Sequence, residues 1–431
     1  MRVLMFGWEF PPHITGGLGT ACLGLTKGLL NNDVEVIFVI PKVYGDETKE
    51  INLVNASDVR IDIHNKIHED HWKNISYIEV DSILVPYSTP EQFYRILNEQ
   101  QQCGEHTYEN IYSLKYNFSG KYGENLMEEV ARYALVATEI AQKQQFDVIH
   151  AHDWLTYPAA IAAKNASNKP LIVHVHATEF DRSGEHVNQN VYDIERRGMH
   201  EADKIITVSN FTRQIVIDRY NIHPDKVVTV HNAVDLYKNQ KDSTQEKYVR
   251  EKIVTFMGRV TFQKGPDYFV EAAYKVLQKD KNVRFVMAGS GDMLNKMIKR
   301  VAELRISKYF HFTGFLKGGD VNRMFAISDV YVMPSVSEPF GISPLEAMRS
   351  NVPVVISKQS GVSEVLHHAL KVDFWDIDAM ADSIYGLLHY NALSKMFISM
   401  GKSEVESLKW DNSAHRVKEI YLEVTANKEE L

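Results

Sequence analysis

Short β-branched runs alternate with helix-length segments along most of the chain, the pattern of parallel βαβ units. Arg2–Gly7 reads as a strand, followed by a glycine-rich loop, a helical stretch from Thr20 to Leu30 and the buried-looking strand Val34–Ile40. The rhythm resumes with a helix over Glu128–Lys143, strand Val148–Ala151, helix Tyr157–Ala166 and strands Leu171–Val175 and Lys204–Val208. Asn232 to Asp235 reads as a closing turn. Leu236 to Arg250 is polar, with no apolar period, and reads as a linker. A second series has strands at Ile253–Met257, Val283–Ala288, Phe310–Thr313, Val330–Met333 and Val354–Ile356, with a helix expected after each. The fold class is α/β: two doubly wound halves whose strand carboxyl ends face each other across a cleft. The first half spans 1–235 and the second 251–395; a helical tail, 396–431, is expected to pack back on the first. One region breaks the rhythm. Residues 44–125 are irregular and rich in Tyr, Asn and Gln, which reads as a functional insertion or a partly ordered one.

The chain has 431 residues, 44% hydrophobic and 24% charged, which suits large buried cores and excludes disorder, collagen or coiled coil as the main architecture. The formal net charge of -8 provides no whole-molecule field for nucleic acid or an anionic membrane. Cys22 and Cys103 form neither a disulfide framework nor a metal-site spacing. The apolar run Val3 to Phe6 is too short for a signal peptide, and no stretch approaches the ~18 apolar residues of a membrane span. A cytoplasmic protein is expected.

Three constellations carry candidate chemistry. Ser337-Glu338-Pro339-Phe340-Gly341-Ile342-Ser343-Pro344-Leu345-Glu346 follows a strand and enters a helix. Structurally, Ser343 to Glu346 is a capping box, with Ser343 at the N-cap and Glu346 reaching back. Functionally, Gly341, Ile342 and Ser343 would offer backbone N–H groups to a diphosphate, Glu346 would accept from ribose hydroxyls, and Glu338 would face a sugar. Gly258-Arg259-Val260-Thr261-Phe262-Gln263-Lys264-Gly265 again joins strand to helix, so Arg259 and Lys264 can converge on one leaving diphosphate. Asp376-Ile377-Asp378 is an Asp-x-Asp, but its place at a helix start favours an N-cap. No metal is expected at the diphosphate. In the first half, Trp8-Glu9-Phe10 leads into Gly16-Gly17-Leu18-Gly19, where paired glycines admit a close phosphate or sugar. Of the strand-end histidines, His152 and His176, with Asp153, are expected at the cleft rim as mixed donors and acceptors for hydroxyls. His150 and His174 are expected to point the other way as structural residues.

Taken together these residues resemble retaining glycosyltransferases of the GT-B fold, which has two Rossmann-like domains. The resemblance is to glycosyltransferase family 4 and the glycogen and starch synthases. Glu338…Glu346 around Glu-Pro-Phe-Gly and the Arg259…Lys264 pair carry it, with Gly16 to Gly19, His150 to Trp154 and His176-Ala177-Thr178 pointing to glycogen synthase. The resemblance implies that Arg259 and Lys264 bind the donor diphosphate, with Gly16 and Gly17 closing on it. Glu346 is implied to hold the ribose and Glu338 the donor sugar near its anomeric centre. It implies His176 at the sugar's 6-hydroxyl, Asp153 on sugar or acceptor hydroxyls, and Glu9 on the acceptor side. The implied substrates are a nucleotide-diphospho-glucose and an α-glucan, with no cofactor. Two positions depart from the family. Ile14 stands where ADP-glucose enzymes usually carry Lys, and Ser360-Gly361 with Glu364 replaces a pair of glycines. Other acceptors, a two-domain sugar receptor and a nucleotide-sugar epimerase are the competing functions; the absence of an export signal and the diphosphate pair argue against the receptor. Tyr87, Tyr94, Tyr108, Tyr112, Tyr116 and Tyr122 of the insertion would suit either a glucan groove or a local core.

Overall fold

The computed structural model describes residues 1–11, 17–44, 51–62, 113–116, 118–119, 125–234 and 250–429. The first half runs β1 (Arg2–Phe6), α1 (Gly17–Asn31), β2 (Glu35–Ile40), β3 (Asn52–Asn55), then an antiparallel pair β4 (Ile61–Asp62) and β5 (Ser113–Leu114). It continues through α2 (Leu126–Lys143), β6 (Val148–His152), α3 (Tyr157–Ser167), β7 (Leu171–Val175), α4 (Glu179–Ser183), α5 (Gln189–Glu201), β8 (Lys204–Thr207), α6 (Asn210–Tyr220) and β9 (Val227–Thr229). Their seven-stranded sheet has the order β3-β2-β1-β6-β7-β8-β9 and is parallel throughout. Every residue of β6 and β7 is buried, as expected of parallel strands covered on both faces.

The second half runs β10 (Lys252–Met257), α7 (Pro266–Lys279), β11 (Val283–Ala288), α8 (Leu294–Glu303), β12 (Phe310–Gly314), α9 (Gly319–Ile327), β13 (Val330–Met333) and α10 (Ser343–Arg349). It closes with β14 (Val354–Ser357), β15 (Leu370–Val372) and α11 (Ile377–His389). Its six-stranded parallel sheet has the order β12-β11-β10-β13-β14-β15. Strand order reverses between β1 and β6 in one sheet and between β10 and β13 in the other, which is where doubly wound folds open a ligand crevice.

The helix expected after Val354–Ile356 is absent. A short 3-10 turn, Gly361–Glu364, leads instead to β15. Strands β3, β9 and β15, each of three or four residues, also went unread. The tail divides. α12 (Asn391–Ser407) packs Val405 into the second half's core, and Gly401 abuts Met348 and His368. α13 (Trp410–Glu429) crosses to the first half and lies on α1, with Trp410, Ala414, Val417, Ile420 and Tyr421 in its core. Of the six tyrosines singled out in the insertion only Tyr116 lies within the described residues. It is 7% exposed in the first half's core beside Phe118, so its ring is not offered for stacking on a glucan. No described helix is long and apolar enough to cross a membrane.

Candidate active site

The second half's site is built from the loops leaving β10 and β13. Gly265 ends the first loop with φ +62, and a Cβ there would come within 2.1 Å of the Pro334 carbonyl oxygen. Glycine is therefore required on both counts, backbone sign and space. That approach lets Val336 N donate to Gln263 O at 2.9 Å, joining the two loops. Lys264 then meets Glu338 in an ion pair, and Ser335 Oγ donates to Glu338 Oε2 at 3.2 Å. Glu338 is only 6% exposed, and its backbone is held by Gln359 O at 3.0 Å and by Gly361 N at 2.9 Å. Arg259 is exposed at the rim, with Nη2 donating to Gln263 Oε1 at 3.1 Å.

Gly341, at φ +98, precedes α10, where Ile342 stands at the N-cap and Glu346 in the first turn. The capping box does not form. Ser343 Oγ lies 2.7 Å from the Tyr331 hydroxyl, a tertiary partner that local sequence does not reveal. Asp376 does cap α11, accepting from Ala379 N at 2.9 Å.

Opposite stand the loops leaving β1, β6 and β7. Glu9, 6% exposed, follows β1, and Gly17 opens α1, exposed; Gly16 lies outside the described residues. Asp153 takes φ +60, an uncommon conformation for a residue with a side chain and one that concentrates at functional sites. Its Oδ1 accepts from His176 N at 2.6 Å and Ala177 N at 3.3 Å, so it shapes the turn that presents His176. Burial pushes the Asp153 carboxyl up to about 7, against the opposing pull of Arg182 and those two amides. Next along, Thr178 and Asp181 form a capping box on α4. Arg182 donates to the Ala177 carbonyl at 3.3 Å and pairs with Glu179 and Glu195. Burial pushes Glu195 up to about 7 although Arg182 favours its charge.

The expectation that His150 and His174 point away from His152 and His176 is wrong. Strand side chains repeat every second residue, so both members of each His-x-His share one face. Register also sets His152 beside His174. The rings stack in a ladder, with centroids 4.5 Å apart for His150–His152 and 4.3 Å for His174–His176. His176 Nε2 lies 2.9 Å from His152 Nδ1. Burial lowers the His176 pKa to about 3, leaving a neutral ring suited to uncharged hydroxyls.

The two sets of loops meet. Ser337 Oγ donates to Asp181 Oδ1 at 2.6 Å, joining the Glu338 loop to the segment that follows His176. Ser209 Oγ donates to Pro339 O at 2.5 Å. Glu364 crosses from the second half to accept from Asn210 N at 2.9 Å, Phe211 N at 2.7 Å and His231 Nε2 at 2.8 Å. Asp181 and Arg182 escaped notice in the sequence; the Thr178-x-x-Asp181 spacing was the available signal.

Two doubly wound parallel sheets, each with a topological switch point, whose loops meet one another, are the architecture of the GT-B fold. Residues 92–238 match Glycosyltransferase Family 4 and residues 238–404 match Glycosyl transferases group 1. The chain is a glycosyltransferase carrying these two domains. It is 27% identical to an uncharacterised glycosyltransferase of Methanocaldococcus jannaschii, over 98% of each chain. It is 23% identical to a glycogen synthase of Mycobacterium tuberculosis, over 85% of this chain and 80% of that one. The fold is shared with sucrose-phosphate synthase from Thermosynechococcus elongatus, with TM-score 0.70, 16% identity and 99% of each chain covered.

Proposed function

We propose that the chain transfers a hexose, glucose first among them, from a nucleotide-diphospho-sugar to the non-reducing end of an α-1,4-glucan with retention of configuration. The observation that carries this is the meeting of Lys264 and Glu338 in a loop joined through Ser337 and Asp181 to the segment after His176. A departing diphosphate needs fixed positive charge. Lys264, half-buried, and Arg259, exposed, would supply it, each hydrogen bond to a charged group contributing roughly 1.5–3 kcal/mol. Gly16, Gly17, Gly341, Ile342 and Ser343 would approach the same diphosphate, and Glu346 the ribose. Glu338, held by Ser335 and Lys264, would lie against the sugar as positive charge develops at its anomeric carbon.

His176 would donate to or accept from the hexose 6-hydroxyl, while Asp153 fixes the turn bearing it and lies on the sugar side. Glu9 would stand on the acceptor side. The acceptor hydroxyl attacks the face the diphosphate leaves, its proton passing to the leaving phosphate oxygen, so no covalent intermediate on the protein is required. No divalent cation is assigned to the diphosphate, so omission of Mg2+ should leave the rate unchanged. Similarity to a glycogen synthase supports the glucan acceptor. Incubation with UDP-glucose and ADP-glucose in separate reactions, with glycogen, tests the proposal. Label entering polymer supports it; free glucose epimer, or transfer only to other saccharides, overturns the acceptor.

A further inference from the structure

We propose that His150, His152 and His174, under the carboxyl ends of β6 and β7, form a binding site for one divalent transition-metal ion, with Zn2+ the best match to the donors. The site is separate from the diphosphate site, and binding there does not depend on the donor or acceptor assigned above.

The sheet dictates the grouping. His150 and His152 are two residues apart on β6, and His174 lies beside His152 on β7, so three imidazoles share one sheet face. One ring nitrogen from each lies within 4.8 Å of the others. His150 Nε2 and His174 Nδ1 are 3.3 Å apart. Bonds of about 2.0–2.1 Å from a tetrahedral zinc to two nitrogens place those nitrogens at about that separation.

The outer partners suit the same arrangement. A ligating histidine normally engages its second nitrogen in a hydrogen bond that fixes the tautomer. His150 Nδ1 lies 2.7 Å from the Tyr421 hydroxyl of α13, and His152 Nδ1 lies 2.9 Å from His176 Nε2. A ladder held by protons alone would satisfy the His150–His174 contact equally well. It would still leave His152 Nε2, buried in a fully enclosed ring, with no hydrogen-bond partner among the described residues. The ion supplies that partner. His174 Nε2 is the other such imidazole nitrogen among the described residues and stays outside this account.

Cys22 of α1 lies in an adjoining triad with His152 and His176. In that triad His152 Nδ1 and His176 Nε2 already pair with each other at 2.9 Å. Three imidazoles are thus the assigned set. An ion on His152 Nε2 would keep the proton on His152 Nδ1. His176 Nε2 would then accept it, leaving His176 Nδ1–H as the donor.

The full chain, produced in zinc-supplemented medium and dialysed against metal-free buffer, should retain about one zinc per chain by mass spectrometry. His174→Gln should lose it while keeping its circular dichroism. Added Zn2+ should raise the thermal midpoint of the parent after chelation but not that of the variant. Cobalt-substituted parent should show a tetrahedral visible spectrum without a thiolate band, a readout that stands even if His174→Gln does not fold. Folded parent that keeps no zinc and shows no midpoint shift overturns the proposal. A thiolate–cobalt band abolished by Cys22→Ser overturns the three-histidine assignment.

Discussion

Lys264 already has a carboxylate partner in Glu338, so a donor diphosphate must share an ammonium that is part of the folded structure. Removing it therefore has two effects of different size. Fixed charge aimed at the leaving group is worth about a hundred- to a thousandfold in rate, so Lys264→Ala should lower turnover by that factor. The same change leaves Glu338, at 6% exposure, without its ion-pair partner and held only by Ser335 Oγ, costing about 1–3 kcal/mol. Turnover at 25 °C and the urea midpoint separate the two, and near-parental turnover would remove Lys264 from the donor site. At this scale the sequence was informative where chemistry is local to a loop. The loop positions of Arg259, Lys264 and Glu338 were legible, because each sits between a strand and a helix start. Ser343 was misread because its hydroxyl goes to Tyr331, twelve residues upstream on β13. The ladder was misread through strand parity, although each His-x-His spacing alone places its own two rings on one face.

Among the elements, the α1–α13 contact depends on two missing side chains. A Cβ on Gly24 would come within 2.3 Å of the Trp410 ring, and one on Gly28 within 2.7 Å of the Trp410 carbonyl oxygen. Overfilling a packed contact costs about 1–3 kcal/mol, so Gly24→Val should lower the unfolding midpoint accordingly. An unchanged midpoint would show that α13 shifts freely on α1, contrary to the hydrogen bond between Tyr421 and His150. This contact could not be read ahead, because the four-residue spacing of the glycines has meaning only once its partner, nearly 400 residues later, is known to return. The long buried strands were legible from their unbroken Val and Ile runs. β3, β9 and β15 were not, since each is too short for a periodic signal.

Across the whole molecule the two halves are joined by hydrogen bonds that titrate, which makes their closure sensitive to acid. Glu364, noticed in the sequence only as a departure from a glycine pair, caps α6 of the opposite half through Asn210 and Phe211 and also meets His231. Burial alone would raise its pKa. The hydrogen bonds from His231 and the two amides outweigh burial, and the folded value lies below the ordinary 4.5. A depressed carboxylate contributes stability above its free value and loses it as pH falls through the folded value. Closure should therefore weaken below about pH 4.5. Hydrogen bonds to a charged group contribute roughly 1.5–3 kcal/mol, so Glu364→Gln should destabilise the closed pair by about that amount at pH 7 and flatten the acid dependence. Small-angle scattering and thermal unfolding between pH 7 and pH 4 would read this as a larger radius of gyration and a lower midpoint in the variant. Ser337 with Asp181, and Ser209 with Pro339, remain in both proteins and should limit the opening to a hinge rather than separation. If parent and variant share one radius and one pH slope, Glu364 is a local cap and the halves are held by their apolar contacts instead.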